Sequence, residues 1–231
     1  MSLTSVVLKP MQDKQVELDT KKKILGAVMD ISAYKDPNQI LEVYSQRVKS
    51  IVVDINGNPV EKDAKGNLLV AEKINIQKNH KIPAEERFFP VFMFTEEGST
   101  DVSAYILPMF GAGLWDWISG YMALEQDLNT IKGIAFDHKT ETPGLGARIA
   151  SPDVQDRFIG KKIYNNSDQL VSVKMLKGEG NKNITDHEVD GMSGATMTAK
   201  GVNAMLENYL KYYEGFIQKN QSRSNLAYKI Q

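Results

Sequence analysis

The feature that most constrains how this chain can fold lies near its C-terminus. From Gly201 onward Val202, Met205, Leu206, Tyr209, Tyr213, Phe216 and Ile217 recur at spacings of three and four, which puts them on one stripe of an amphipathic helix with a buried face. Directly before it stands Asp190-Gly191-Met192-Ser193-Gly194-Ala195-Thr196-Met197-Thr198, a run of small and hydroxylated residues that reads as a loop turning into the helix start. Ser193 or Thr196 would cap that start. Three hydroxyls within six residues exceed what one cap requires. A helix start with free N–H groups, two flexible glycines and several hydroxyls is also a natural seat for a phosphate. Spacing alone leaves both readings open, a capped helix or an anion seat.

The rest of the chain supplies what this helix packs on. Residues 50–55 are rich in β-branched side chains and end at Asn56-Gly57-Asn58-Pro59, a tight-turn signal that opens a hairpin. Residues 88–94 and 104–109 have strand character, and Pro90 marks an edge or a strand start. Residues 120–125 and 130–136 form a hairpin about a turn at 127–129, and residues 170–176 form a further strand. Residues 60–87 are a polar excursion. Ahead of the strands, residues 11–31 form a helix with Val16, Ile24, Ala27, Val28 and Ile31 on its apolar stripe and Lys21-Lys22-Lys23 on the wet side. Asp36-Pro37 starts a second helix carrying Ile40, Leu41, Tyr44 and Val48, and Ser151-Pro152-Asp153 opens a short one through Phe158. The expectation is an α+β fold: a largely antiparallel sheet, N-terminal helices, and a C-terminal amphipathic helix packed on the sheet. An N-terminal helical segment, 1–48, precedes the main domain, 49–231.

Composition narrows the chemistry. With 28 basic and 29 acidic residues the net charge is -1, so nothing in the balance points to nucleic acid or an anionic membrane surface. The absence of cysteine excludes disulfides, thiolate metal ligands and iron–sulfur clusters, so a redox role needs a bound organic cofactor. His138 and His187 are isolated, without the spacing of a metal site. No Gly-x-Ser-x-Gly elbow or Cys/His pair points to hydrolysis.

Two more stretches carry loop chemistry. Gly111-Ala112-Gly113-Leu114-Trp115 leads from flexible glycine into a large aromatic, and Trp115 is either a core anchor or a site residue. Glu141-Thr142-Pro143-Gly144-Leu145-Gly146 is a rigid turn in which proline fixes one dihedral and two glycines permit close backbone approach. It is either a plain connection or a wall for a planar ring. Lys177, before Gly178, reads by default as a surface lysine at a turn.

Asp190-x-x-Ser193-Gly194-Ala195-Thr196-x-Thr198 resembles the flavinylation motif of FMN-binding domains in the C subunit of the sodium-translocating NADH:quinone reductase and the G subunit of the related Rnf complex. Gly113-Leu114-Trp115 and the 123–130 segment resemble the reductase protein more closely than the Rnf one. The resemblance implies FMN held by a phosphoester on Thr196, with Asp190, Ser193, Gly194, Ala195, Met197 and Thr198 around it. It further implies that Glu141, Thr142, Gly144, Leu145, Gly146, Leu114 and Trp115 flank the ring or ribityl chain, and that Lys177 lies near the flavin. A flavin transferase would load the FMN from FAD. The other subunits of a membrane reductase that relays electrons from NADH to quinone and pumps sodium would be the partners. The family carries one N-terminal membrane helix ahead of a periplasmic domain at the inner membrane. Val6-Val7-Leu8-Lys9-Pro10 looks like the end of such an anchor, truncated behind an artificial Met1-Ser2-Leu3. An Rnf-type protein, or a non-redox scaffold whose helix start binds phosphate, are the alternatives.

Overall fold

The structure, a computed structural model, describes the backbone of residues 3–228 and the side chains of 14–221. Met1 and Ser2 lie outside the described residues, and of Val6 to Pro10 only the backbone is described, inside the first helix. In chain order the elements are α1 (Leu3–Gly26), α2 (Pro37–Arg47), β1 (Val48–Val53), α3 (Ile76–Asn79), β2 (Phe89–Thr95), β3 (Val102–Ala112), β4 (Trp117–Glu125), β5 (Ile131–His138), α4 (Pro152–Gln155), β6 (Lys174–Met175), β7 (Glu188–Val189) and α5 (Thr196–Tyr228). Strands β1 to β5 form one antiparallel sheet in sequence order, and β6 and β7 form a two-stranded parallel pair. This is the expected α+β architecture.

Alternation along the strands builds two cores, one on each face. Phe89 and Val91 of β2, Leu107 and Met109 of β3 and Met122 and Leu124 of β4 join the α5 stripe, with Val202, Met205, Leu206, Tyr209, Tyr213, Phe216 and Ile217 all buried there. Phe92, Phe94, Ala104, Ile106 and Ala123 face the other way, against Leu18, Ile24 and Leu25 of α1 and Ile40 and Tyr44 of α2. Among the described residues no helix is long and apolar enough to cross a membrane.

Local chemistry accounts for the element ends. The Asp36 side chain accepts the Asn38 N–H at 2.9 Å, the Gln39 side chain turns back to the Asp36 N–H, and Pro37 takes a first-turn position, a complete capping box. In α1 the expected stripe is wrong at Val16, which is 64% exposed while Leu18 is buried. Two residues are roughly 200° around a helix, so both cannot face the sheet. The helix also stops at Gly26 rather than 31. Lys21, Lys22 and Lys23 are half-buried rather than on a wet face. Lys21 pairs with Glu17 at 2.6 Å and lies over the Tyr44 ring, and Lys23 pairs with Asp137 of β5.

Two further expectations need correction. The turn at Asn56 to Pro59 closes only one bridge, Val53 to Pro59, and the ladder partner of β1 is β2. Gly57, at φ +73°, lies so close to the α5 backbone at Gly215 and Phe216 that a Cβ would collide with it. The strand expected at 170–176 shrinks to β6, because Ser172 has φ +62° and the N–H groups of Val171 and Ser172 both turn to the Ile163 carbonyl. Asn203 of α5 then holds both the N–H and the carbonyl of Met175.

Pro90 stands at the start of β2, but β2 is an inner strand. The β2–β3 ladder begins at Phe92 and Ile106, and continuing that register sets Pro90 opposite Pro108, two residues with no N–H to exchange. The buried hydroxyl of Tyr213 reaches into this gap from α5 and donates to the Pro90 carbonyl at 2.8 Å and the Pro108 carbonyl at 3.3 Å.

Candidate functional site

The start of α5, the end of β3 and the loop after β5 converge at one corner of the sheet. Gly111 and Gly201 make this possible. A Cβ on Gly111 would press on the Met205 side chain, and one on Gly201 would collide with the Ala112 carbonyl, so the glycines let α5 settle directly on the β3 end. Leu114, Glu141, Thr142, Leu145, Gly146, Gly194, Ala195, Thr196, Met197 and Thr198 line a cleft of about 190 Å³ at the convergence.

Among the described residues no side chain caps the α5 start. The Ala195 carbonyl accepts the first helical bond, from the Ala199 N–H at 3.0 Å, so alanine occupies the cap position and Thr196 the first helical one. The expectation that Ser193 or Thr196 caps the helix is therefore corrected. The N–H groups of Thr196, Met197 and Thr198 come before the first residue able to bond within the helix, and they point their partial positive charge at the cleft end. Gly194, at φ +74°, lies under Leu145, and a Cβ there would be strained by the backbone conformation and would displace the tip of the Leu145 side chain.

Glu141 joins the walls. It is 4% exposed, and its Oε1 accepts the N–H of Leu114 at 2.8 Å and of Trp115 at 3.2 Å. Its Oε2 accepts the hydroxyl of Thr198, which is 1% exposed. Three protein donors thus converge on the one carboxyl group. Added Cβ atoms on Gly113 and Gly146 would each collide with this carboxylate. Trp115 is not a core anchor. It is 68% exposed, and its indole N–H donates to the Thr142 hydroxyl at 3.3 Å. Leu114, Trp115, Leu145 and Met197 thus form an exposed apolar rim.

The remaining candidates lie outside the lining. Gly144 is an exposed loop tip at φ +75°, and Ser193 is exposed beside the cleft. The Asp190 carboxylate organises the preceding loop. Although burial pushes its pKa up, the N–H groups of Gly180, Asn181 and Gly191 and the Asn181 amide bring it down to about 2. Lys177 is exposed, and its ammonium has no partner among the described residues.

An ionic knot behind the motif loop has no counterpart in the sequence motifs. Glu179 accepts two bonds from Arg148, at 2.7 and 3.0 Å, and one from Arg157 at 2.9 Å, while Arg157 also donates to the Gly191 carbonyl. The two guanidinium groups, Arg148 first, and the Ser193 N–H hold the Glu179 carboxyl at about 2. No motif spacing links residues 148, 157 and 179, so only the folded chain brings them together. A carboxyl with a depressed folded pKa stabilises above its ordinary value and loses that contribution as pH falls through the folded one. Acid titration of wild type should therefore lose stability between about pH 4.5 and 2, and Glu179→Gln should flatten that limb and lower stability at neutral pH. Coincident curves from pH 7 to 2 would contradict this.

The comparisons with known proteins converge on the same corner. The FMN-binding domain family matches residues 113–211, a span that contains every cleft-lining residue. The C subunit of the Na(+)-translocating NADH-quinone reductase from Haemophilus ducreyi is 34% identical over 227 residues, with 91% of this chain and 81% of the relative aligned. Its counterpart from Neisseria meningitidis serogroup A is 33% identical over 208 residues, covering 85% and 78%. The crystal structure of the Parabacteroides distasonis counterpart superposes with a TM-score of 0.74 at 33% identity, over 94% of this chain and 98% of that one. Shewanella oneidensis NqrC superposes at 0.76 with 24% identity, over 90% and 99%, and supports the fold alone. The chain belongs to the family formed by the C subunit of the Na(+)-translocating NADH-quinone reductase, an oxidoreductase complex.

Proposed function

We propose that the cleft holds FMN, joined by a phosphoester to the Thr196 hydroxyl, and that the chain relays electrons between NADH and quinone within a membrane reductase that exports sodium. The observation that carries this reading is the convergence of the two motif loops on Thr196 at the N-terminal end of α5. A phosphodiester there meets the positive end of the helix. The small residues Gly194 and Ala195 leave the Thr196 side chain open to the cleft. Leu114, Trp115, Leu145 and Met197 offer apolar surface for a planar ring, and the Thr142 and Gly146 segment offers polar groups for its edges. The lined space is smaller than a flavin, so part of the ring would extend over the exposed rim.

Attachment is a group transfer without oxidation or reduction. The Thr196 O–H bond and the pyrophosphate bond of FAD break, the Thr196 oxygen bonds to the FMN phosphorus, AMP leaves, and the proton passes to a base on the transferase or to water. Bound FMN supplies the electron chemistry, and the chain supplies orientation, charge and shielding. Ser193, beside the cleft, and Asp190, through the loop it organises, shape what the transferase meets. Gly144 lets the loop approach closely. Lys177 acts through space from the neighbouring loop, where a cation favours a reduced, anionic flavin. The other reductase subunits are the stable partners, a membrane anchor precedes the domain, and the domain lies on the extracytoplasmic face, where released FMN would not be replenished by mass action.

Incubating the protein with a flavin transferase, FAD and Mg²⁺ should give a yellow product whose fluorescence survives a denaturing gel. Protein that stays colourless with an active transferase would reject the reading and leave a phosphate-binding scaffold.

A further inference from the structure

Three hydroxyls stand at the motif, and the structure treats them differently. Ser193 is exposed on the loop, Thr196 lines the cleft with no hydrogen bond to its hydroxyl among the described residues, and Thr198 is buried with its hydroxyl committed to Glu141. On a helix, residues two apart point roughly 200° away from each other, so one first-turn threonine can face the cleft opening while the other turns inward. Glu141 holds Thr198 on one oxygen and the Leu114 and Trp115 amides on the other. One buried carboxylate thereby joins the α5 start, the loop after β3 and the loop after β5. Gly113 and Gly146 stand on its two sides, where any side chain would strike the carboxylate.

We infer that Glu141 and Thr198 form a buried latch that fixes the first turn of α5 on the two loops, so that Thr196 presents its hydroxyl for attachment. Both are positioning residues, because their polar atoms are taken up by protein and not offered to a ligand. Thr198 is the motif threonine that is withheld. The attachment half of this inference rests on the FMN reading, and the latch half does not.

Thr198→Val keeps the shape and removes the donor, cutting α5 from the carboxylate while leaving Leu114 and Trp115 bonded to it. Without flavin, hydrogen exchange at the Leu114 and Trp115 amides should then be at least about tenfold faster than in wild type, and Thr198→Ser should restore protection. Unchanged exchange in the valine variant would overturn the latch. With transferase and FAD, Thr198→Val should gain covalent FMN on the order of ten- to a hundredfold more slowly, as expected when a reacting group loses its alignment, and Thr198→Ser should recover the rate. Attachment to Thr198→Val at the wild-type rate would overturn the positioning role. Should wild type itself take no FMN, the FMN reading fails while the exchange measurement still decides the latch.

Discussion

Thr196→Ala is expected to fold like wild type and to carry no covalent flavin after treatment with transferase and FAD. In the proposed attachment the Thr196 hydroxyl oxygen forms the bond, so its loss is expected to abolish loading, and no neighbour replaces it: Thr198 is buried on Glu141, and Ser193 lies on the loop outside the cleft lining. The effect on stability is small. Thr196 is the first residue of α5, half-buried at the cleft, and its hydroxyl has no protein partner among the described residues, so alanine there removes no bonded group and the cost stays within about 1 kcal/mol. Thermal unfolding and in-gel flavin fluorescence measured on the same samples separate the two effects. Covalent fluorescence in the alanine variant would refute the assignment of Thr196. A large drop in melting temperature would refute its description as structurally idle.

The largest expected effect on stability belongs to Tyr213. Its ring is buried among the α5 stripe and packs edge-on against Phe89 at 5.5 Å. Its hydroxyl, whose pKa burial pushes far up, is the donor that joins α5 to the gap between Pro90 and Pro108. Tyr213→Ala should cost about 3–5 kcal/mol, the range for emptying an aromatic core site. Tyr213→Phe keeps the ring and leaves two carbonyls without their donor, which should cost about 1–3 kcal/mol. For a domain of this size each kcal/mol lowers the melting temperature by roughly 2–4 °C. Denaturant titration of both variants checks the order. A phenylalanine variant as stable as wild type would mean that the hydroxyl does not hold the sheet at the proline gap.

The same tyrosine shows how far the sequence could be read. Its place in the stripe from Val202 to Ile217 follows from spacing alone, and every member of that stripe is buried. Its hydroxyl bond does not, because it depends on two prolines from different strands meeting across the sheet. The strands were legible where apolar runs flank a turn signal, as in residues 120–125 and 130–136 about the turn at 127–129. They were not legible where tertiary partners decide, as at Ser172, whose positive φ and bond to Ile163 end a run of apparent strand character. Val16 failed because a single apolar residue does not fix the phase of a helix against its sheet.

At the cleft, the motif residues from Gly194 to Thr198 and the loop from Glu141 to Gly146 were visible as composition. What each does was not. The resemblance makes Glu141 a ring or ribityl contact, and the fold adds what no motif shows, that its carboxyl group is bonded to three protein donors. Trp115 stood between core anchor and site residue, and its exposure decides against the core. The knot of Arg148, Arg157 and Glu179 carries no local pattern at all, since its members come from segments up to 31 residues apart.

Peptide mapping by mass spectrometry of wild-type protein treated with transferase and FAD tests most directly whether Thr196 is the point of attachment. The expected result is one added FMN, located by fragmentation on Thr196, in a peptide where Ser193 and Thr198 are unmodified. An added FMN on Ser193, on Thr198 or outside the 190–198 segment would contradict it.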